Sequence, residues 1–183
     1  AVVGVNGSGK TTLARHLNAL LLPTTGSVRV AGIDTRDPAR WPALRAQVGM
    51  VFQRPEDQIV ATTVEDDVAF GPENLGLPGD EIAARVRWAL ETVAMWAHRE
   101  RPPHLLSAGQ QQRVAIAGAL ALRPRCLVLD EATAMLDPAG RQEVLGLVRQ
   151  LHAEGIAIIL VTHSMGEAAL AERVVALAAG QVA

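Results

Sequence analysis

The chain has 183 residues, 49% of them hydrophobic, which suits one domain with a substantial buried core. Its formal net charge of −2 excludes the general basic field that draws a protein to nucleic acid. One cysteine, Cys126, excludes an internal disulfide framework and suits a reducing compartment, and no apolar run reaches the about 20 residues of a membrane-spanning helix.

Ala1-Val2-Val3 reads as a strand, residues 10–22 read as a helix, and Gly4-Val5-Asn6-Gly7-Ser8-Gly9-Lys10-Thr11-Thr12 joins them. The spacing G-x-x-x-x-G-K-[ST] between strand and helix is that of a phosphate-binding loop. Its glycines let backbone N–H groups turn inward around phosphate oxygens, and the helix start adds its positive dipole end. Lys10 supplies a point charge for the β- and γ-phosphates, and the Thr11 hydroxyl is a Mg²⁺ ligand candidate. Nucleotide contact is thus expected from Gly4, Asn6, Gly7, Ser8, Gly9, Lys10, Thr11 and Thr12.

Further along, strand-like apolar runs fall at residues 28–30, 48–52, 126–129, 156–161 and 174–178. Helical patterns fall at residues 82–97, 109–122, 139–153 and 165–171. The late half alternates strand and helix with short links, so the expected fold class is α/β with a mainly parallel sheet covered on both faces. Residues 55–122 lack a clear core strand and read as a helical subdomain inserted into one domain spanning 1–183. Gly71-Pro72, Gly76-Leu77-Pro78-Gly79 and Pro102-Pro103 mark expected breaks in that lobe, Asp80 is an expected N-cap for the 82–97 helix, and Glu65-Asp66-Asp67 reads as a solvated or helix-start patch. Ala1 falls inside the strand that feeds the phosphate loop, and residues 180–183 read as a turn entering another strand. The expectation is a domain whose leading strands precede Ala1, with no signal peptide in view.

Two other segments carry chemistry. Leu127-Val128-Leu129-Asp130-Glu131 is an apolar strand ending in two carboxylates, a pattern in which the first acid holds Mg²⁺ and the second polarises an attacking water. Ser107 is placed to cap the 109–122 helix, leaving the amides of that first turn free to face an anion.

Leu105-Leu106-Ser107-Ala108-Gly109-Gln110-Gln111-Gln112-Arg113 resembles the signature segment of ATP-binding cassette ATPases, commonly L-S-G-G-Q followed by x-Q-R. Three more segments resemble that family in order: Gln53 its Q-loop glutamine, Ala134-Met135-Leu136-Asp137 its D-loop, and His163 its switch histidine. The resemblance covers essentially the whole chain. It implies ATP and Mg²⁺ as ligands, with Thr11, Gln53 and Asp130 toward the metal and Glu131, His163 and Gln53 in hydrolysis. It also implies a head-to-tail dimer in which Ser107, Gly109 and Gln110 of one subunit complete the nucleotide site of the other.

A narrower resemblance is to the ATPases of energy-coupling factor importers, carried by residues 51–58, 63–74 and 130–138. It implies hydrolysis coupled to uptake of a vitamin or metal ion, at the cytoplasmic face of the membrane. The implied partners are a second ATPase subunit, a transmembrane coupling protein and a substrate-binding membrane subunit, with no direct nucleic-acid binding. An ATPase of another transporter class, or a cassette protein acting on nucleic acid or ribosomes, is the alternative. The chain departs from the family pattern at Ala108, where a second glycine is usual, and at Ala134, where a hydroxyl is usual. Were Ala108 to need a positive φ, its Cβ would cost about 1 kcal/mol. The aromatic residue that stacks on adenine in this family lies before the phosphate loop, outside the chain.

Overall fold

The computed structural model describes all 183 residues. In chain order the elements are β1 (Val2–Val3), α1 (Lys10–His16), β2 (Arg29–Val30), β3 (Ile33–Asp34), α2 (Trp41–Gln47), β4 (Val48–Val51), α3 (Val64–Asn74), α4 (Gly79–Thr92), α5 (Ala108–Ala121), β5 (Cys126–Asp130), α6 (Pro138–Ala153), β6 (Ala157–Val161), α7 (Met165–Ala168), β7 (Val175–Ala178) and β8 (Gln181–Val182). This is an α/β fold. Its main sheet has the order β4-β5-β6-β1-β7-β8, with β4, β5, β6, β1 and β7 parallel and only β8 antiparallel. The apolar runs of β4 and β5 are almost wholly buried, as strands covered on both faces must be.

Between β4 and β5 the chain leaves the sheet and forms α3, α4 and α5, which pack on one another while α5 also packs against β4 and α6. One apolar cluster runs through these helices into the sheet, joining Val68, Leu90 and Leu120 to Leu127, Leu129 and Leu160. The helices therefore share the sheet's core and have none of their own.

Several sequence expectations change. Residues 28–30 do not enter the main sheet; β2 and β3 pair as a separate antiparallel hairpin. The helix expected over 10–22 stops at His16, because Ala19 takes a φ of 56° and the Arg45 guanidinium ties down the turn by donating to the Asn18 and Ala19 carbonyls. Gly71-Pro72 is no break. Both lie within α3, where Gly71 allows close approach to α5: a Cβ there would sit 3.0 Å from Leu122 Cδ2. Pro72 lies inside the helix two residues before its end, and there it forgoes one backbone donor. Asp80 is not the N-cap of its helix, since α4 starts at Gly79 behind Pro78. That helix also ends at Thr92, short of residue 97, with Ala94 in the left-handed region. The last helix closes after Ala168 instead of running to residue 171.

The acidic patch does open a helix: Thr63 caps α3 by accepting from the Asp66 N–H at 3.2 Å, and Glu65, Asp66 and Asp67 line its first turn. Cys126 is half-buried and burial raises its thiol pKa, which leaves it protonated and inert.

Leu120 is fully buried where α5 meets the sheet. Leu120→Ala should lower unfolding stability by about 2–5 kcal/mol, measured by urea denaturation; a loss no larger than that of an exposed leucine such as Leu105 would show that the shared core is not packed as described.

Candidate nucleotide-binding site

A parallel sheet collects the carboxyl ends of its strands on one edge, and ligands of such sheets bind in the crevice outside that edge. Here that edge carries the glycine-rich loop after β1, Gln53 beyond β4, Asp130 and Glu131 at the end of β5, and His163 beyond β6.

The loop is built from glycines for two reasons. Gly7 and Gly9 have φ values of 79° and 102°, a region costly for residues with a Cβ, and Gly9 caps α1. A Cβ on Gly4 would collide with the Leu177 carbonyl and the Ser8 hydroxyl. The turn between β7 and β8 backs the loop, with the Gly180 N–H donating to the Ser8 carbonyl at 3.0 Å. Asn6, Gly7 and Thr12 are exposed, whereas Ser8 is buried and its hydroxyl has no partner.

Lys10 is buried, and its ammonium donates to the carbonyls of Gly4 (2.9 Å) and Val5 (3.2 Å) and meets Glu131 Oε1 at 3.5 Å. The Thr11 hydroxyl donates to Asp130 Oδ1 at 3.0 Å. Burial raises the Asp130 pKa, against a lowering by the Thr11 hydrogen bond. Glu131 adopts a φ of 52°, unusual for a non-glycine residue, and is held by its N–H to the Val161 carbonyl at 3.0 Å. Its other oxygen lies 3.8 Å from Nδ1 of the exposed His163. Gln53 is exposed and, with Thr11, Arg15, Phe52 and Asp130, lines a cavity of about 470 Å³.

The structure thus brings Lys10, Thr11, Asp130, Glu131 and His163 together and sets Gln53 across a shared cavity from Thr11 and Asp130. Ser107, Gly109 and Gln110 stand apart from them. Ser107 and Gln110 form a capping box at the start of α5, each side chain accepting from the other's backbone N–H at 3.3 and 3.0 Å. Gly109 faces Gly140 of α6 across a close helix contact. Ala108 occupies the first helical position without a positive φ, so the strain considered for it does not arise.

Some residues that shape the site were not anticipated. The side chain of Gln58 accepts from the Phe52 N–H and donates to the Met50 carbonyl, and the fully buried Gln112 of α5 donates to the Phe52 carbonyl. Together they fix the strand end from which Gln53 projects. Glu167, also buried, accepts hydroxyl protons from Thr133 and Thr162. Its only trace in the sequence is the spacing Ser164-x-x-Glu167, a helix-start pattern.

The chemistry of this donor set fits a polyphosphate with Mg²⁺. A buried ammonium and an unpartnered buried hydroxyl suit phosphate oxygens, while one hydroxyl and one carboxylate match how Mg²⁺ is held when substrate phosphates and water supply its other ligands.

A phosphate loop and an acid pair on the carboxyl edge of a parallel sheet define a nucleotide-binding α/β domain. Residues 1–134 match the ABC transporter family, and the chain belongs to that family. It is 65% identical over 183 residues to the energy-coupling factor transporter ATP-binding protein EcfA1 of Symbiobacterium thermophilum, and 56% identical over 182 residues to that of Caldanaerobacter subterraneus. The alignments take in 100% and 99% of this chain but only 64% and 66% of those relatives' lengths. Among solved structures, cbiO1 from Clostridium perfringens, described as part of the ABC transporter complex cbiONQ, superposes with a TM-score of 0.89 at 38% identity over 100% of this chain and 74% of that one. The ATP-binding cassette MJ0796, a dimer bound to ADP and Pi, gives 0.86 at 31% identity over 99% and 81%.

Because burial raises the Asp130 pKa above its unfolded value, folding binds a proton between the two values and loses stability as pH rises through them. Asp130→Asn, which keeps an acceptor for Thr11, should therefore raise the thermal midpoint at neutral pH, with the gain shrinking in acid; melts across that range check it, and a lower midpoint at neutral pH would contradict it.

Proposed function

We propose that the protein is the ATP-hydrolysing subunit of a membrane importer of the energy-coupling factor type, working as a dimer of cassettes. The observation that carries this reading is the meeting of Lys10 with Glu131 and of Thr11 with Asp130, pairs 121 and 119 residues apart in sequence, on one sheet edge. The identity to two energy-coupling factor ATP-binding proteins supports the importer assignment, and the dimeric neighbour supports the oligomer.

In this reading the inward amides of residues 6–12 and the Lys10 ammonium take the β- and γ-phosphates of ATP. Thr11 and Asp130, with Gln53 nearby, would hold Mg²⁺. The bound metal would neutralise charge on the phosphate oxygens. Glu131 orients the attacking water and accepts its proton, a task suited to a carboxylate whose backbone is fixed in a turn at the end of β5. His163, on the other side of Glu131, contacts the γ-phosphate. Ser107, Gly109 and Gln110, which have no partner on their own phosphate loop, serve the nucleotide of the neighbouring subunit. The α5 N-terminus already has its Ser107–Gln110 cap, so it presents an ordered turn to that nucleotide.

The helical subdomain of residues 55–122 is the proposed docking lobe for a transmembrane coupling protein, which works with a separate substrate-binding membrane subunit. Phe70 and Val60 are exposed on it, the apolar surface such a contact needs. No helix of the chain is long and apolar enough to cross a membrane; on this reading these partners hold it at the cytoplasmic face.

Glu131→Gln should retain ATP affinity and accumulate an ATP-bound dimer while turnover falls roughly 100- to 10,000-fold, read by phosphate release and size-exclusion chromatography; unchanged hydrolysis would remove Glu131 from its role. Lys10→Ala should instead weaken nucleotide binding itself, and an ATP affinity equal to the parent in a titration would contradict the phosphate-loop assignment.

A further inference from the structure

Glu167 is a carboxylate buried beside the proposed catalytic edge, with both oxygens engaged by threonine hydroxyls. It is 5% exposed and sits in α7, one turn beyond β6. Each of its oxygens accepts one hydroxyl proton: Oε1 from Thr133 at 2.6 Å and Oε2 from Thr162 at 2.7 Å. Both bonds are buried and short. Arg141 of α6, at 3.8 Å from Oε1, supplies a compensating positive charge.

The two threonines are what make this carboxylate more than a structural tie. Thr133 lies two residues after Glu131, inside the turn closed by the Ala134 N–H on the Glu131 carbonyl at 3.0 Å. Thr162 immediately precedes His163, and its hydroxyl also accepts from the Ser164 N–H at 3.0 Å. The Glu167 N–H is in turn held by the Ser164 hydroxyl at 3.4 Å. One side chain therefore anchors the backbone on both sides of the Glu131–His163 pair. A cavity of about 20 Å³, lined by Glu131, Thr133, Arg141, His163 and Glu167 among others, lies between that pair and its anchor. Glu131 is also in a conformation that costs about 1 kcal/mol or more and persists only where its surroundings over-determine it.

We infer that Glu167 is a positioning residue for hydrolysis, which fixes the aim of Glu131 and His163 through Thr133 and Thr162. This rests on the reading of Glu131 as the group that orients water. Removing an acceptor from either threonine frees its segment, and small displacements of a reacting group are costly in rate while leaving phosphate contacts at the loop untouched.

Steady-state ATP hydrolysis by the parent and Glu131→Gln comes first. A parent with no turnover, or a Glu131→Gln variant as active as the parent, defeats the catalytic reading and takes this inference with it. With a Glu131-dependent parent, the Glu167 series decides alone. Glu167→Gln, Thr133→Val and Thr162→Val should each lower kcat about 10- to 100-fold, with the KM for ATP within about twofold of the parent. Glu167→Gln combined with Thr162→Val should lose less than the product of the two single losses, because both break one link. In the Glu131→Gln background Glu167→Gln should lower residual turnover by a smaller factor than in the parent, since only the His163 part of its role is left. If Glu167→Gln does not fold, the two near-isosteric threonine variants, which leave the carboxylate in place, carry the test. Variants that lose thermal stability but keep parental kcat per folded molecule would reduce Glu167 to a structural tie and overturn the inference. So would a loss confined to KM, or an undiminished further loss in the Glu131→Gln background.

Discussion

The parallel register of β1, β5 and β6 is the constraint on which everything else at the site depends. Val2 pairs with Val161, and Asp130 pairs with the same residue from the other side, so β6 lies between the strand feeding the phosphate loop and the strand ending in the acids. With all three strands running the same way, their ends are level and separated by about two strand spacings, roughly 10 Å. Side chains as long as lysine and glutamate close that gap from opposite sides, which is how Lys10 and Glu131 come within 3.5 Å. An antiparallel β5 would carry the acids to the far edge. The helices between β4 and β5 are free to leave the sheet because that register is fixed without them.

How much of this could be read from the amino-acid sequence depends on how local the signal was. The phosphate loop, the acid-terminated strand and the Ser107 cap each occupy fewer than a dozen consecutive residues and dictate their own geometry, and those segments stand where the sequence put them. Elements whose form is set by distant neighbours were read poorly. Gly71 and Pro72 look like punctuation in one dimension, but in three they lie inside a helix, with Gly71 packed against Leu122. The 10–22 segment has helical periodicity throughout, yet the Arg45 side chain from α2 holds its second half in a turn. Residues 28–30 had strand composition, but composition does not say which sheet a strand joins. Glu167 was invisible for the same reason: nothing near it in sequence announces that Thr133, 34 residues earlier, donates to it.

Polar side chains carry much of the specificity around the site. Gln58 and Gln112 both bind backbone atoms of β4 or its end, and neither can be replaced by an apolar residue without stranding a donor or acceptor in the interior. Gln112 belongs to α5, the helix whose first turn carries Ser107 and Gln110, while Phe52 immediately precedes Gln53. A rotation of α5 would strain the Gln112–Phe52 bond before any apolar contact was lost, since hydrogen bonds are directional and packing is not. The helices and the sheet edge are thus mechanically linked at one point close to the chemistry.

The same reasoning bears on the charge balance at Lys10. An ammonium has three protons to donate, and here they face two loop carbonyls and one carboxylate oxygen of Glu131. A buried cation cannot be left without an anion at tolerable cost. On the proposed reading, an arriving phosphate therefore exchanges with Glu131 for Lys10 instead of adding to it. The displaced carboxylate has His163 on its other side, 3.8 Å away, and its backbone is pinned at Val161. Substrate arrival would then free the Glu131 carboxylate from Lys10 in the place where a water proton is to be accepted. Phosphate binding and the freeing of Glu131 would be one electrostatic event.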